Sequence, residues 1–157
     1  MNVQDAVLDD IPAMALHHRK MFEEIWEKND SRIERIRGEE LATAYRDKLN
    51  TQMPEGLCKA WVIKKDNEVI ASGAITLVSF VPSPSDLNHT VAYLHSIYTE
   101  KRHRKKQCAR MILDRAVQYC RENGIARVFL NASDAGKSLY ESAGFSSSPD
   151  TMRLFVT

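Results

Sequence analysis

The sequence predicts an α/β fold in which a mixed sheet carries helices on both sides. Three observations lead to this fold class. Short runs that suit strands alternate with longer runs of helical period along the chain. The 157 residues are 43% hydrophobic and 27% charged, which is ordinary for a globular protein with a sizeable core. No linker, repeat or low-complexity segment divides the chain, so we expect one domain over residues 1–157.

The expected elements follow the order β-α-α-β-β-β-α-β-α-β-β. Strands are assigned where β-branched and aromatic residues cluster or alternate, and helices where apolar residues return every three or four positions. The approximate bounds of the elements are 3–7, 11–26, 38–49, 59–65, 68–80, 91–99, 107–123, 126–130, 134–144, 145 and 152–156.

Turn and capping residues delimit the elements in the first half of the chain. Asp9 or Asp10 can cap the first helix. Asp66-Asn67 joins two strands, because both side chains tolerate the left-handed backbone of a tight turn. Residues 81–86 contain two prolines that cannot donate to a sheet ladder, so the chain must leave the sheet there. We expect this segment to be a mobile loop at the mouth of a substrate site.

The second half of the chain alternates between strands and helices. The apolar run from Val91 to Thr99 is typical of a central strand. A stripe of apolar residues then predicts the helix over 107–123, which ends at Asn123-Gly124 as a C-terminal cap would. The short apolar run 126–130 suits a strand that is buried on both faces. Ser133 or Asp134 can cap the helix that ends at Gly144.

Six successive basic residues, Lys101 to Lys106, lie between the central strand and the helix that follows it. The formal net charge of the chain is only +1, so this positive charge is local. The first backbone N–H groups of a helix have no partner within the helix, and the helix dipole favours negative charge there. A strand, a basic turn and a helix therefore predict an anion site, although a solvated charge run or an RNA-binding patch would also explain the cations.

Two segments resemble the GNAT superfamily of acetyl-CoA-dependent N-acyltransferases. Arg104 to Ala109 (RKKQCA) is similar to its pyrophosphate loop, R/Q-x-x-G-x-G/A, and departs from it at Gln107, where the family has glycine. Asn131 to Phe145 is similar to its ending, in which a strand closes on Asn and a helix carries L-Y-x-x-x-G-F. The resemblance implies a mostly antiparallel central sheet flanked by helices, with acetyl-CoA as co-substrate.

The resemblance also implies a binding site for acetyl-CoA. Backbone amides from Gln107 to Ala109 would hold the pyrophosphate, with Arg104 and Lys105 beside it, and the main chain of 97–99 would pair with the pantetheine arm. We expect a helical backbone at Gln107, because a left-handed one would cost about 1 kcal/mol. The residues expected to contact acetyl-CoA are Ile97, Tyr98, Thr99, Arg104, Lys105, Lys106, Gln107, Cys108, Ala109, Arg110, Asn131, Lys137 and Ser138.

Two residues are candidates for proton transfer. Tyr140 matches the family tyrosine that protonates the departing CoA thiolate, although a tyrosine packed under the sheet would look the same in sequence. His95, which we expect on one strand face with Tyr93 and Ile97, has a suitable unperturbed pKa for a general base, but a hydrogen-bonded core histidine is an equal alternative. The helices expected to line the acceptor site carry His17, His18, Glu23, Glu24 and Tyr45.

The function implied is transfer of an acetyl group to a primary amine of a small molecule or peptide, by direct attack in a ternary complex. A non-catalytic acyl-CoA-binding module and an RNA-binding module are the alternatives. We expect no metal, because the three cysteines lack metal-ligand spacing, and no partnership with nucleic acid or membrane. The N-terminus does not resemble a signal peptide, so a cytoplasmic location is expected. A homodimer is compatible with the resemblance.

Overall fold

The computed structural model describes residues 1–29 and 37–156. The strands are β1 (Val3–Asp5), β2 (Cys58–Lys65), β3 (Glu68–Ser79), β4 (Thr90–Thr99) and β5 (Val128–Phe129). The helices are α1 (Ile11–Asn29), α2 (Gly38–Gln52), α3 (Cys108–Glu122) and α4 (Lys137–Ser142), and short 3-10 turns cover Leu8–Asp10 and Lys101–His103.

The five strands form one sheet in the order β1-β2-β3-β4-β5. Strands β1 to β4 pair with one another in antiparallel fashion, whereas β5 runs parallel to β4. The hairpin between β2 and β3 turns at Asp66 and Asn67, which have φ values of 51° and 64°. Short polar side chains tolerate this left-handed backbone, as the sequence predicts.

Each face of the sheet packs against its own helices. Helix α3 presents Ile112, Leu113 and Ala116 to Trp61 and Ile75 on one face. On the other face, α1 and α2 pack against alternate residues of the same strands, which include Ala60 and Ala74. Side chains alternate across a strand, so a single strand supplies both cores. The predicted class, a mixed and mostly antiparallel sheet flanked by helices, is confirmed.

The prediction of two further strands at the C-terminus is wrong, since no residue after α4 pairs in the sheet within the described chain. The N–H of Phe145 donates to the carbonyl of Tyr140 at 3.0 Å and closes the end of α4, so it is not available to a ladder. Met152, Leu154, Phe155 and Val156 are 78–95% exposed and therefore bury almost no apolar surface that would hold a strand.

Candidate active site

The edge of β4 that faces β5 is open along most of its length. Strand β5 pairs only with Ala92 and Tyr93. From Leu94 to Thr99, no described strand lies along this edge, although β3 accompanies β4 on the other side. The main chain of Ile97, Tyr98 and Thr99 lies in this open part. The Thr99 carbonyl accepts a hydrogen bond from Arg104 Nε at 2.9 Å, and the other backbone groups that point to this edge have no strand partner, so they can pair with an extended ligand.

A β-bulge interrupts β4 beside the open edge. The β3–β4 register passes from Ser72–Tyr98 directly to Ala74–His95, so that Ser96 and Ile97 together oppose Gly73. Ser96 has a φ of 61°, which is uncommon for a residue other than glycine. A Cβ atom at Gly73 would lie 2.7 Å from Ile112 Cγ2 and 2.9 Å from Ile97 Cγ1. Only glycine allows the strands to approach closely at the bulge.

The bulge corrects one prediction about the faces of β4. The sequence predicted that Tyr93, His95 and Ile97 share a face. Instead, the ring of His95 contacts Tyr45 of α2, whereas Ile97 packs with the core beneath α3. One extra residue at the bulge shifts the alternation of side chains, which moves Ile97 to the opposite face.

The basic segment presents a row of free backbone amides. The chain turns at Lys101–His103, passes through an extended Arg104, and enters α3 at Cys108. None of the N–H groups of residues 105–110 donates a hydrogen bond to a described residue, whereas the N–H of Met111 bonds the carbonyl of Gln107 at 2.9 Å. Six consecutive amides at a helix start, surrounded by cations, make a strong anion site.

The prediction of a helical backbone at Gln107 is wrong. Gln107 precedes the first helical residue with φ 67° and ψ 12°, and Lys105 also has a positive φ, of 63°. Both residues adopt the left-handed conformation that glycine adopts without strain. The loop therefore has a geometry that favours glycine at the position where the sequence has glutamine.

Arg104 is already engaged within the protein. Its Nε donates to the carbonyl of Thr99 at 2.9 Å, and its terminal nitrogen donates to both carboxylate oxygens of Glu24 on α1 at 2.9 and 3.0 Å. Its guanidinium group also lies over the ring of Tyr98, 5.3 Å from the centroid. Burial and the Glu24 carboxylate raise the pKa of Tyr98 to about 12. Arg104 therefore fixes the end of β4 against α1.

The other cations of the loop differ in their freedom. Arg102 pairs with Glu68 at 3.0 Å, and Lys101 lies 3.8 Å from Glu24. Lys105 and Lys106 are exposed and have no partner among residues 1–29 and 37–156. These two lysines are the loop cations that are free to meet an anion.

The first turn of α3 is held by packing of Cys108 and by side-chain hydrogen bonds of Arg110. Cys108 is buried, and burial raises the pKa of its thiol, so it is a packing residue and a poor nucleophile. Ala109 is a small, partly exposed residue, and it leaves its own N–H accessible. Arg110 bonds Asp114 at 2.9 Å and Ser142 of α4 at 3.3 Å, which ties the two helices together.

The predicted residues of the C-terminal segment lie beyond the end of β5. Asn131 is exposed and donates to the hydroxyl of Tyr93 at 2.9 Å. Lys137 and Ser138 are exposed in the first turn of α4. The ring of Tyr140 packs against the core of the α3 face and against Phe145 at 5.9 Å, and burial raises its pKa. Its hydroxyl has no hydrogen-bond partner in the described chain, so it is available to a ligand.

His95 belongs to a hydrogen-bonded network on the α1/α2 face. Its Nε2 lies 2.7 Å from Thr76 Oγ1, and its Nδ1 lies 3.0 Å from Ser96 Oγ and 3.2 Å from the Tyr45 hydroxyl. Ser96 Oγ also lies 2.7 Å from His18 Nδ1. Burial, together with the charges of Lys48 and His18, lowers the pKa of His95 to about 3, and burial lowers that of His18 to about 4. Both rings are therefore neutral at pH 7.

The two histidines of the network differ in access. Both ring nitrogens of His95 already have partners. His18 is only partly buried, and its Nε2 has no partner among the described residues. Of the two rings, His18 is therefore the one with an accessible nitrogen.

Sequence reasoning missed Arg127, which anchors the loop before β4. Its Nε donates to the buried carboxylate of Asp86 at 2.7 Å, and its terminal nitrogen donates to the carbonyls of Val81 and Asn88 at 2.8 and 3.3 Å. The guanidinium holds the pKa of Asp86 below its usual range. The loop predicted to be mobile is thus tied to the start of β5. No local motif marks this pair, since its members are far apart in sequence.

Two further observations concern the described ranges as a whole. Among residues 1–29 and 37–156, no group of three or more His, Cys, Asp or Glu side chains has an arrangement that could hold a metal ion. Within the same ranges, no helix combines the length and the apolar character that crossing a bilayer requires.

The sequence matches the family model described as Acetyltransferase (GNAT) family over residues 12–145. Similar folds occur in many solved structures. A GCN5-related N-acetyltransferase from Ralstonia eutropha superposes with a TM-score of 0.86 at 22% identity, over 98% of this chain and 97% of that one. A predicted acetyltransferase with acetyl-CoA from Clostridium acetobutylicum gives 0.81 at 26% identity, over 98% and 95%.

A more distant likeness is to glucosamine-6-phosphate N-acetyltransferase from Arabidopsis thaliana. Its TM-score is 0.59 at 17% identity, and the match covers 74% of this chain and 79% of that one. No curated protein matches the sequence.

Proposed function

The chain belongs to the acetyltransferase (GNAT) family, and from this membership we propose that it transfers the acetyl group of acetyl-CoA to a primary amine by direct attack in a ternary complex. The observation that carries the proposal is the open edge of β4, which runs towards the row of free amides at residues 105–110. An extended ligand with a polar arm and a phosphate group at one end suits both features. The Clostridium acetobutylicum neighbour with acetyl-CoA supports this choice.

In this proposal, CoA lies between β4 and β5. The amides of residues 105–110 and the side chains of Lys105 and Lys106 hold the pyrophosphate, which places six N–H donors and two cations on one anion. The pantetheine amides pair with the main chain of residues 97–99, and Asn131 reaches them from the other side of the opening. Arg104 acts mainly through the backbone that it holds, because its Nε and one of its two terminal nitrogens are already bonded to Thr99 and Glu24.

At the carbonyl carbon, the reaction forms a carbon–nitrogen bond and breaks the carbon–sulfur bond. The amine nitrogen attacks the carbonyl carbon of the thioester, and the carbon–sulfur bond then breaks. Tyr140 donates its hydroxyl proton to the departing sulfur, which stabilises the developing thiolate. The proton lost by the amine enters the network of His18, Ser96 and His95 at the free Nε2 of His18. Solvent returns a proton to Tyr140.

Release of free thiol from acetyl-CoA in the presence of a panel of primary amines tests the activity. An amine-dependent rate supports acetyl transfer. Tight CoA binding without thiol release would instead show a non-catalytic binding module, and RNA binding that weakens steeply with salt would favour the nucleic-acid alternative.

A matched pair of double variants tests the phosphate loop. Changing Lys105 and Lys106 to Ala removes the two free cations, so CoA affinity should fall about 10-fold while affinity for acetyl-pantetheine, which has no pyrophosphate, stays unchanged. Changing Lys101 and Arg102 to Ala removes the same charge from residues that already face Glu24 and Glu68, and it should have little effect. An equal loss for acetyl-pantetheine would contradict the assignment of this loop.

A further inference from the structure

A continuous band of aromatic rings crosses the α1/α2 face of the sheet. Five of the six neighbouring pairs of ring centroids are 5.1 to 6.3 Å apart, within the range of favourable aromatic contacts, and the sixth pair, His18 and Tyr45, is stacked at 3.9 Å. From one end to the other, the aromatic band consists of Phe80, Phe129, Tyr93, His95, Tyr45, His18 and Phe22.

The aromatic band is more exposed at one end than at the other. Phe80 and Phe129 are 50% and 44% exposed, whereas Tyr45 of α2 is buried and His18 and Phe22 are partly buried. The exposed end lies where β5 separates from β4, because Phe129 is the last residue that pairs with the central strand. The less exposed end contains the His18–Ser96–His95 network beside the bulge. Tyr93 lies between the two ends, with ring centroids 5.1 Å from Phe129 and 5.8 Å from His95, so a molecule that covers the exposed end lies beside the network.

One uncompensated positive charge acts on the aromatic band. Lys48 acts on His95 from α2, whereas Arg127, which lies over the ring of Phe80 at 5.6 Å from the centroid, is paired with Asp86 at 2.7 Å. Within the described part of the chain, no side chain of the band makes a hydrogen bond or ion pair with a carboxylate. A polycation would meet repulsion from Lys48 without a carboxylate in the band to compensate for it.

We propose that the acceptor is a primary amine whose body is an aromatic ring and which carries no second positive charge. The ring stacks on Phe129 and Tyr93, and the amine points along the band towards the network, whose nearest ring to Tyr93 is His95. This assignment rests on the proposed acetyl transfer, since the band is an acceptor site only if the thioester lies in the opening beside it. It excludes polyamines and aminoglycosides as the preferred acceptors.

Three amines test the proposal by thiol release from acetyl-CoA: 2-phenylethylamine, 2-cyclohexylethylamine and spermidine. The first two have the same chain and similar bulk, and they differ in aromaticity. We expect kcat/KM for 2-phenylethylamine to exceed that for the cyclohexyl compound by about 3- to 10-fold, which corresponds to one good aromatic contact. Spermidine should be the poorest of the three. Equal or faster turnover of spermidine would overturn the proposal.

Two variants locate the preference on the aromatic band. Phe129→Leu should raise KM for 2-phenylethylamine about 3-fold or more, leave kcat unchanged, and remove the advantage over the cyclohexyl compound. Phe155→Leu makes the same change at a ring that is 78% exposed and outside the band, and it should leave both constants unchanged. Retention of the full aromatic preference in Phe129→Leu would overturn the placement.

Lys48→Met gives a second test that does not disturb a ring. Removing this cation should raise kcat/KM for spermidine relative to 2-phenylethylamine, and an unchanged ratio would count against the electrostatic part of the proposal.

Failure of the acceptor assignment can be distinguished from failure of the proposed acetyl transfer. If no amine releases thiol, the proposed acetyl transfer fails. If amines are acetylated without any preference for the aromatic one, only the acceptor assignment fails.

Discussion

The phosphate loop and the aromatic band lie on two sides of the same opening and are built in opposite ways. The loop of residues 101–110 is one continuous segment whose working groups are unpaired backbone amides and exposed lysines. The aromatic band collects side chains from α1, α2, β4, β5 and the end of β3, and the polar atoms at its inner end are bonded to one another. The loop is cationic and exposed, whereas the band is largely apolar and partly buried.

Because they are built differently, the loop and the band can recognise different parts of a ligand. Backbone amides bind any phosphate of suitable shape, so a loop of this kind recognises the phosphate rather than the rest of the ligand. A set of side chains from separate elements can change one residue at a time without disturbing the backbone of the loop. We therefore expect changes in the loop to alter CoA binding and changes in the band to alter acceptor choice.

Tyr140→Phe should slow the chemical step without changing binding at either the phosphate loop or the aromatic band. The ring and its packing against Phe145 are retained, so the dissociation constant for CoA should change little. Loss of the hydroxyl removes general acid assistance, and kcat at saturating amine should fall about 10²- to 10⁴-fold. Tyr119→Phe removes a hydroxyl from α3 and serves as the matched control. An unchanged kcat would return Tyr140 to a packing role.

Acid should destabilise the band side, together with the buried His17 of α1, because burial lowers the pKa of His17, His18 and His95. The folded-state pKa values of His18 and His95, about 4 and about 3, lie below the 6.5 of an unfolded histidine. The unfolded chain therefore binds protons first, and the stabilisation, complete above about pH 6.5, is lost as the pH falls towards 4. Urea titrations should show a loss on the order of 1–2 kcal/mol for each histidine between pH 7 and pH 5.

The variants His18→Gln and His95→Gln should each reduce that loss. His89→Gln changes an exposed histidine and should leave it unchanged. Equal pH dependence in all three variants would mean that the buried network does not account for the acid sensitivity.

Gly73→Ala should damage the bulge, on which both sides depend. The added methyl group would meet the branched side chains of Ile97 and Ile112 at less than 3 Å. Overpacking of this kind typically costs about 1–3 kcal/mol, which thermal or urea unfolding can measure. Gly38→Ala is the control, because its Cβ would meet only the mobile guanidinium group of Arg19. Similar stability of the two variants would contradict the close packing at the bulge.

Gln107→Gly should have the smallest effect and should be stabilising. Glycine relieves the left-handed backbone strain of about 1 kcal/mol but increases the entropy of the unfolded chain, so the net gain is roughly 0.5 kcal/mol. CoA affinity should be retained, because the N–H of residue 107 remains. Lys106→Gly, at a neighbouring position without a positive φ, should not stabilise the protein. If Gln107→Gly is less stable than the unmodified protein, the left-handed backbone at Gln107 is not strained.

The sequence was informative where one local pattern determines the geometry. The fold class followed from periodicity, and the basic turn before α3 followed from six adjacent residues. The backbone at Gln107 was predicted wrongly because residue identity alone does not fix φ. Strands at the C-terminus were predicted from composition, but strand formation needs a partner. Gly73 inside a strand was the available signal for the bulge, whereas the Arg127–Asp86 pair and the aromatic band depend on contacts between distant segments.

The β4–β5 ladder is so short that it can open to let a long ligand leave. Strand β5 pairs with only two residues of β4, and the ion pair between Arg127 and Asp86 holds its start. Separation of this edge strand breaks few backbone bonds, so it is expected to cost far less than unfolding the sheet. A product could then leave sideways as β5 peels away, without being drawn lengthwise past the loop. Hydrogen exchange would reveal such opening as early deuteration of the Ala92 amide, which bonds the carbonyl of Arg127 at 3.0 Å.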